Sequence, residues 1–321
     1  MQGFLITAYR EPQYLSELIN EITEHGDRVW LHIDRKSTFT GADLQLHHPE
    51  LVQVFQQYSI NWGGVRHLEA IILLMSHALQ ADDIAYYHII SGQDAIARYP
   101  KESELGEAIL MNAQQVLPSD IITMRRLEQY NCFPNADTRM LPVRAINKAI
   151  YGIQQLTSHT QTHIPNMSNA YKGVIWSSMP AAAMRFVVEY HNSHPEYMRF
   201  LRHTLIPEEF FLQTIIMNSP FGTHVATTNS RYTDWTMRNG SLPAYLDNSD
   251  IDAIQTGNYL FARKIDRGFH PLFYKSFERA VSLHIEFNIT TNVYDNQIKK
   301  MSDLMTSFVC TDSVCHSSIG E

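Results

Sequence analysis

The sequence predicts an α/β fold in which a central, mostly parallel, Rossmann-like sheet carries helices on both faces. Three observations carry that prediction. Short apolar runs at residues 3–8, 29–33 and 84–90 alternate with stretches whose apolar residues recur at helical spacing. Several runs end abruptly in polar residues, as at Asp34-Arg35-Lys36-Ser37 and Ser91-Gly92-Gln93-Asp94. In doubly wound sheets, ligands sit at the carboxyl ends of the strands. Finally, 321 residues at 44% hydrophobic and 18% charged can bury a sizeable core.

Taken in order, residues 3–8 read as a buried strand, broken by Tyr9-Arg10-Glu11-Pro12. Leu15, Leu18, Ile19 and Ile22 then mark a helix, with Gly26 just past its end. After the second strand, Asp34 is placed to accept hydrogen bonds from a ribose or a base. Arg35 and Lys36 are placed to approach a phosphate, with a solvated charged turn as the alternative. A third strand at 51–55 leads to Asn61-Trp62-Gly63-Gly64, then to a helix at 66–79 with Leu68, Ile71, Ile72 and Met75 inward. The strand at 84–90 ends in Ser91–Asp94, which suits either a site or a solvated loop.

Residues 101–170 are less regular. They read as a short strand at 108–111, a polar loop carrying Arg125 and Arg126, a helix at 143–155 and a surface loop at 156–168. A strand at 171–178 and a helix at 180–190 follow. Further on come Arg231-Tyr232-Thr233-Asp234-Trp235, a short helix after Asp250-Ile251-Asp252, a strand at 260–266 and a helical tail from His270 to Lys300.

Pro207-Glu208-Glu209, just before the apolar Phe210, Phe211, Ile215 and Ile216, is the stretch with the most chemical content. Proline and acidic side chains are both favoured in the first turn of a helix. The residues therefore fit a well-capped helix. That is the better reading on spacing alone, and the sharper one is a carboxylate held at the mouth of a cleft as a general base.

Composition excludes several functions. A formal net charge of -8 argues against a general nucleic-acid binder. No Gly-x-Gly-x-x-Gly follows the first strand and no Walker loop occurs, which disfavours a dinucleotide dehydrogenase and a P-loop enzyme. Cys132, Cys310 and Cys315 are too few and scattered for a disulfide framework; Cys310 and Cys315, beside His316, are at most half of a zinc site. No apolar run approaches a membrane span, and no signal peptide precedes the first strand, so the expectation is a soluble, cytoplasmic protein. Asp250 and Asp252 have the form of a carboxylate pair that could bridge a divalent metal to a diphosphate, although a helix N-cap at Asp250 is the better reading. Fixed cations at Arg263, Lys264 and Arg231 offer another way to neutralise such a group, against the alternative of a solvated strand edge.

Eight segments in order resemble the core-2/I-branching enzyme family, which also includes peptide O-xylosyltransferases. They are residues 5–10, 32–37, 61–64, 87–94, 173–176, 207–214, 231–235 and 260–264. The resemblance implies a single GT-A-type glycosyltransferase domain. Residues 1–100 would be its nucleotide-binding half, 101–266 its acceptor and catalytic half, and 267–321 a C-terminal helical tail. It implies inverting transfer from a UDP-sugar without a metal or other cofactor, N-acetylglucosamine and xylose being the donors the family suggests. By the same resemblance Glu209 is the catalytic base, where Glu208 replaces the family's usual Asp. Lys264 holds the diphosphate, with Arg231 as second cation and Arg263 beside it. Thr7, Ala8, Asp34, Arg35, Lys36 and Trp62 complete the donor site, and Asp94, Arg126 and Trp176 face the acceptor. The acceptor itself is expected to be a glycan or lipid-linked glycan in bacterial surface polysaccharide synthesis, worked on at the inner membrane face. Two alternatives remain at this stage: a member that binds nucleotide or glycan without turnover, and a metal-dependent transferase using Asp250 and Asp252.

Overall fold

Seven residues of β1, Gln2–Ala8, are buried along their whole length. In a computed structural model describing residues 1–157, 161 and 164–266, this strand is the centre of the main sheet. It pairs in parallel with β2 (Arg28–Ile33) on one side and β4 (Tyr86–Ser91) on the other. β3 (Val52–Phe55) lies outside β2, and β8 (Ser178–Pro180) closes the far edge antiparallel to β4, giving the order β3-β2-β1-β4-β8. A strand covered on both faces must be apolar on both, which is why β1 reads as a continuous run and does not alternate.

Alternate side chains of the sheet supply two cores. Phe4, Ile6, Val29, Leu31 and Ile33 pack on one face with Leu15, Leu18, Ile19 and Ile22 of α1 (Pro12–Glu24). Leu5, Trp30, Tyr87 and Ile89 pack on the other with α2 (Arg66–Ala78). α1 ends where Gly26 takes a left-handed φ of 79°, the conformation glycine adopts without steric cost. After β3 the chain returns through α2 to place β4 on the opposite side of β1. The crevice between the carboxyl ends of β1 and β4 is thus the topological switch point, where open α/β sheets bind ligands.

A second sheet, β5-β10-β9, extends from this crevice: β5 (Asp94–Ile96) follows β4 directly, and β10 (Phe261–Arg263) lies between it and β9 (Arg231–Thr233). The short α3 (Glu102–Leu105) leads to a two-stranded ribbon of β6 (Gln114–Gln115) and β7 (Tyr171–Lys172). Between its strands come α4 (Ile121–Glu128) and α5 (Leu141–Thr157). α6 (Ala181–Ser193), α7 (Pro195–Arg202) and α8 (Phe211–Met217) join α2 in the second core, and α9 (Ile251–Thr256) packs beside β10.

Several expectations are corrected. Arg125 and Arg126 stand on the helix α4, not in a polar loop; Asp120 caps it by accepting the Thr123 N–H at 3.1 Å. Residues 108–111 form no strand but two isolated bridges, Ile109 to Val225 and Leu110 to Ser178. The strand expected at 171–178 is two short strands with irregular chain between them, where Gly173 packs closely against a neighbouring carbonyl. A Cβ there would sit 1.9 Å from the Asn112 oxygen. α7 was not anticipated. Cys310, Cys315, His316 and the expected helical tail lie outside the described residues. Among the described residues, no helix is long and apolar enough to cross a membrane.

Candidate active site

An open cleft of about 180 Å³ occupies the switch point, lined by Thr7 and Ala8 from the end of β1, Asp34 after β2, Trp176 and Arg263, with His67 from α2. Asp34 is fixed by the backbone around it. Its own N–H donates to the Ala8 carbonyl (2.8 Å), and its carboxylate accepts the N–H groups of Lys36 (2.9 Å) and Ile60 (3.2 Å). One face of the carboxylate is thereby held while the residue still lines the cleft. Lys36 donates instead to Ile60 O (2.5 Å) and Asn61 Oδ1 (2.6 Å), and Arg35 is exposed. Neither basic residue lines the cleft.

The cleft rests on a buried ion pair. The antiparallel register of β5 and β10 sets Arg263 opposite Asp94, with Nε 3.1 Å from Oδ1 but poorly aligned for a hydrogen bond. Asp94 also accepts the Ser91 N–H and, at 2.7 Å, the Ser91 hydroxyl, and it is 2% exposed. It therefore lies beneath the cleft and does not itself form the surface. The Arg263 guanidinium stacks over Trp176 at 4.5 Å. Burial lowers the pKa of Arg263 and brings that of Arg231 down to about 10, and the Asp94 carboxylate opposes the shift in both.

Arg231 is buried and does not line the cleft. Its guanidinium donates to Ser178 Oγ and to the Asn229 carbonyl, each at 2.8 Å, and stacks on Phe261 at 4.9 Å. Only 6% of the residue is exposed. Lys264 does not line the cleft either, but its side chain is less committed. Its ammonium donates to Ser241 Oγ (3.2 Å) and lies 4.6 Å from the Tyr245 ring, with no carboxylate within ion-pair distance among the described residues. Arg10, which lines the cleft, donates to the Tyr245 hydroxyl at 2.9 Å and to Asp266 at 2.8 Å. Tyr245 thus joins the two cations.

The Glu208-Glu209 pair sits on a strained turn. Ile206 has φ 56°, a left-handed conformation that costs a β-branched residue about 1–3 kcal/mol. Its N–H donates to the Gly63 carbonyl (3.2 Å). Gly63 itself has φ 80°, and a Cβ on Gly64 would meet the Pro134 oxygen at 2.7 Å, which explains the paired glycines after Trp62. Trp62 points elsewhere: it is 48% exposed and outside the cleft lining. Pro207–Glu209 form a 3₁₀ turn ahead of the buried α8.

The two carboxylates face different partners. Glu208 Oε1 lies 3.2 Å from His67 Nδ1, and His67 Nε2 lies 3.3 Å from the Thr7 hydroxyl, so a polar chain runs from the cleft to the turn. Glu209 Oε2 accepts from Arg126 Nη1 at 2.8 Å, and the Glu209 carbonyl accepts the Gly173 N–H at 2.9 Å. Burial raises the pKa of Glu209 above the ordinary carboxylate value; Arg126 opposes this and the Glu208 charge adds to it. The arrangement is a half-buried carboxylate with elevated basicity, held by one guanidinium.

The sequence model of the core-2/I-branching enzymes matches residues 3–256, nearly the whole of the described chain. The chain belongs to the core-2/I-branching enzyme family. Members of this family are glycosyltransferases, so the protein transfers a sugar from a donor to an acceptor, on a GT-A-type fold. No curated protein matches the chain. Arg263 and Lys264 of this core-2/I-branching enzyme lie beyond the matched residues.

In this glycosyltransferase Asp250 is committed elsewhere. Both of its carboxylate oxygens accept from Arg238 (2.8 and 2.6 Å), and it also takes the Tyr232 hydroxyl and the Asp247 N–H. Asp250 occupies the N-cap position of α9, but its side chain caps nothing there; the preceding turn is capped by Asp247. Asp252 is exposed. Among the described residues no three His, Cys, Asp or Glu side chains gather as a metal site. His67, Arg10 and Tyr245 were not singled out from sequence. Arg10 had a signal, standing directly after the first strand, whereas His67 meets its partners only through the fold.

Proposed function

We propose that this enzyme transfers a sugar from a UDP-sugar to a hydroxyl of a glycan or lipid-linked glycan, with inversion, giving a β linkage. The observation that carries the reading is Glu209: a half-buried carboxylate on a 3₁₀ turn, hydrogen-bonded by Arg126 and raised in pKa by burial. In this mechanism Glu209 removes the acceptor hydroxyl proton as that oxygen attacks the anomeric carbon. The bond from the carbon to the UDP oxygen breaks on the opposite face, and its electron pair leaves with the diphosphate. One carboxylate suffices because the leaving group needs its charge met more than it needs a proton. Lys264, Arg10 and Arg263 supply that charge without a metal. Asp34 accepts from the nucleoside, with Thr7 and Ala8 beside it. Trp176 offers an aromatic face to a sugar ring. N-acetylglucosamine and xylose are the donors proposed, and surface polysaccharide synthesis the setting.

Arg126 has a measurable part in this scheme. A base must be ionised, so kcat/KM falls as the pH drops through the pKa of Glu209. That acid limb is expected above the ordinary carboxylate range, since burial raises the pKa. Arg126→Ala removes a charge that holds the pKa down, so its limb is expected at higher pH than the wild type's. The measurement is UDP release from UDP-sugars against pH, in EDTA. No release from any UDP-sugar would sink the reaction proposed, and a limb unmoved in Arg126→Ala would sink the role of Arg126.

A further inference from the structure

Helix α5 has its apolar side turned outward. Leu141, Ala145, Ala149, Ile153 and Leu156 follow one another at steps of three and four residues, and all are exposed, Leu141 by 76%, Ile153 by 61% and Leu156 by 88%. At 3.6 residues per turn these positions form one continuous stripe. The opposite side, with buried Gln154 and half-buried Val143, Asn147, Ile150 and Tyr151, fastens the helix to the protein. Gln154 exchanges hydrogen bonds with the Tyr130 backbone at 3.1 and 2.8 Å, and Tyr151 lies under the Arg125 guanidinium at 4.1 Å. An ordinary surface helix shows the reverse arrangement, and an exposed apolar surface of this extent marks a docking face.

Charge identifies what docks there. The seventeen residues of α5 include Arg144 and Lys148 and no Asp or Glu, in a chain whose formal net charge is -8. Arg144 and Lys148 are both exposed, four residues apart, and border the apolar stripe. α4, which packs against α5, adds Ile121 and Ile122, 76% and 74% exposed. A helix with an apolar face, a basic border and no acidic residue fits the interface of an anionic bilayer. At 17 residues it lies on such a surface and does not cross it.

We infer that α5 is a peripheral docking element for an anionic lipid surface. This does not depend on the reaction proposed above, but it places the site usefully. On α4, Arg125 holds α5 while the next residue, Arg126, holds Glu209. The base is therefore one helix away from the lipid-facing surface, where an acceptor carried on a lipid would be presented.

The test is co-sedimentation of the full chain with vesicles of phosphatidylglycerol and phosphatidylcholine, and with phosphatidylcholine alone. Wild-type protein should bind the anionic vesicles more tightly, with affinity falling as salt is raised. Ile153→Glu with Leu156→Glu should weaken binding by about tenfold or more, as each large aliphatic side chain removed from the interface is worth that much. Arg144→Glu with Lys148→Glu should lower affinity for anionic vesicles by roughly fivefold or more per charge. All four positions are exposed, so folding, UDP affinity and turnover of a water-soluble acceptor should be unchanged. Failure of the vesicle experiment with those activities intact would reject the docking element alone. The inference is overturned by absence of binding to anionic vesicles, by binding that Ile153→Glu with Leu156→Glu leaves intact, or by self-association that this same variant abolishes. The last outcome would assign the stripe to a second copy of the chain.

Discussion

Glu209→Gln is expected to lower turnover by about a hundredfold or more while leaving the affinity for UDP at its wild-type value. A positioned general base contributes about 10²–10⁴ in rate. The amide keeps the shape of the side chain, and can still accept from Arg126 through its oxygen, but it cannot take a proton. The 3₁₀ turn should be unaffected, since its backbone contacts, Gly173 N–H to the Glu209 carbonyl and Glu209 N–H to Ile206 O, do not involve the carboxylate. Single-turnover kinetics with saturating donor, alongside UDP calorimetry, separate the two quantities. A variant that turned over near the wild-type rate would remove Glu209 from the mechanism. Wild-type protein that bound UDP but transferred nothing would point to a binding role in place of catalysis. Glu208→Gln is the informative control, because Glu208 faces His67 and not Arg126.

The second large effect is on stability. Asp94→Ala should cost about 3–5 kcal/mol, the usual penalty for removing one partner of a buried ion pair. Asp94 is 2% exposed and Arg263 side-chain exposure is 12%, so the guanidinium would lose its counter-charge in largely desolvated surroundings. Arg231, also buried, loses a favourable charge in the same step. The Ser91 N–H and hydroxyl lose their acceptor as well. Denaturant unfolding of wild type and variant gives the number. A loss below about 1 kcal/mol would mean that the pair is solvated and that the cleft floor is not built on it.

The main sheet was legible because its signals are local. The apolar run of β1, the helical spacing of Leu15 to Ile22 and the polar residues after each strand all lie within a few positions of one another. Thr7, Ala8 and Asp34 stand at the ends of these strands and line the cleft for that reason. α4 escaped because Ile121 and Ile122 face outward, so its apolar residues do not trace an inward stripe. The same inversion hides the docking face of α5: its periodicity reads as an ordinary amphipathic helix, and only the fold reveals which side is covered. Residues 108–111 are apolar and buried, yet they bridge to two distant segments and pair with neither as a regular strand.

The site was read in part for similar reasons. Glu209 carried its own context in Pro207 and the apolar run behind it. Its partner Arg126 is 83 residues away, and His67 is 141 residues from Glu208. No spacing in the sequence announces either contact. Arg231 has the residue type for a diphosphate, but nothing in the sequence signals its depth. An arginine held by Ser178, 53 residues away, looks the same in sequence as one that faces a ligand. Lys264, whose ammonium meets a hydroxyl and an aromatic ring among the described residues, then becomes the principal cation proposed for the diphosphate.

The affinity of UDP in EDTA, measured by calorimetry for wild type and Lys264→Ala, tests that central claim most directly. Binding without metal is expected, weakened by the substitution about tenfold or more through loss of a charge-assisted contact. Binding that appears only when Mn²⁺ is added, or binding in EDTA that Lys264→Ala leaves untouched, would contradict it.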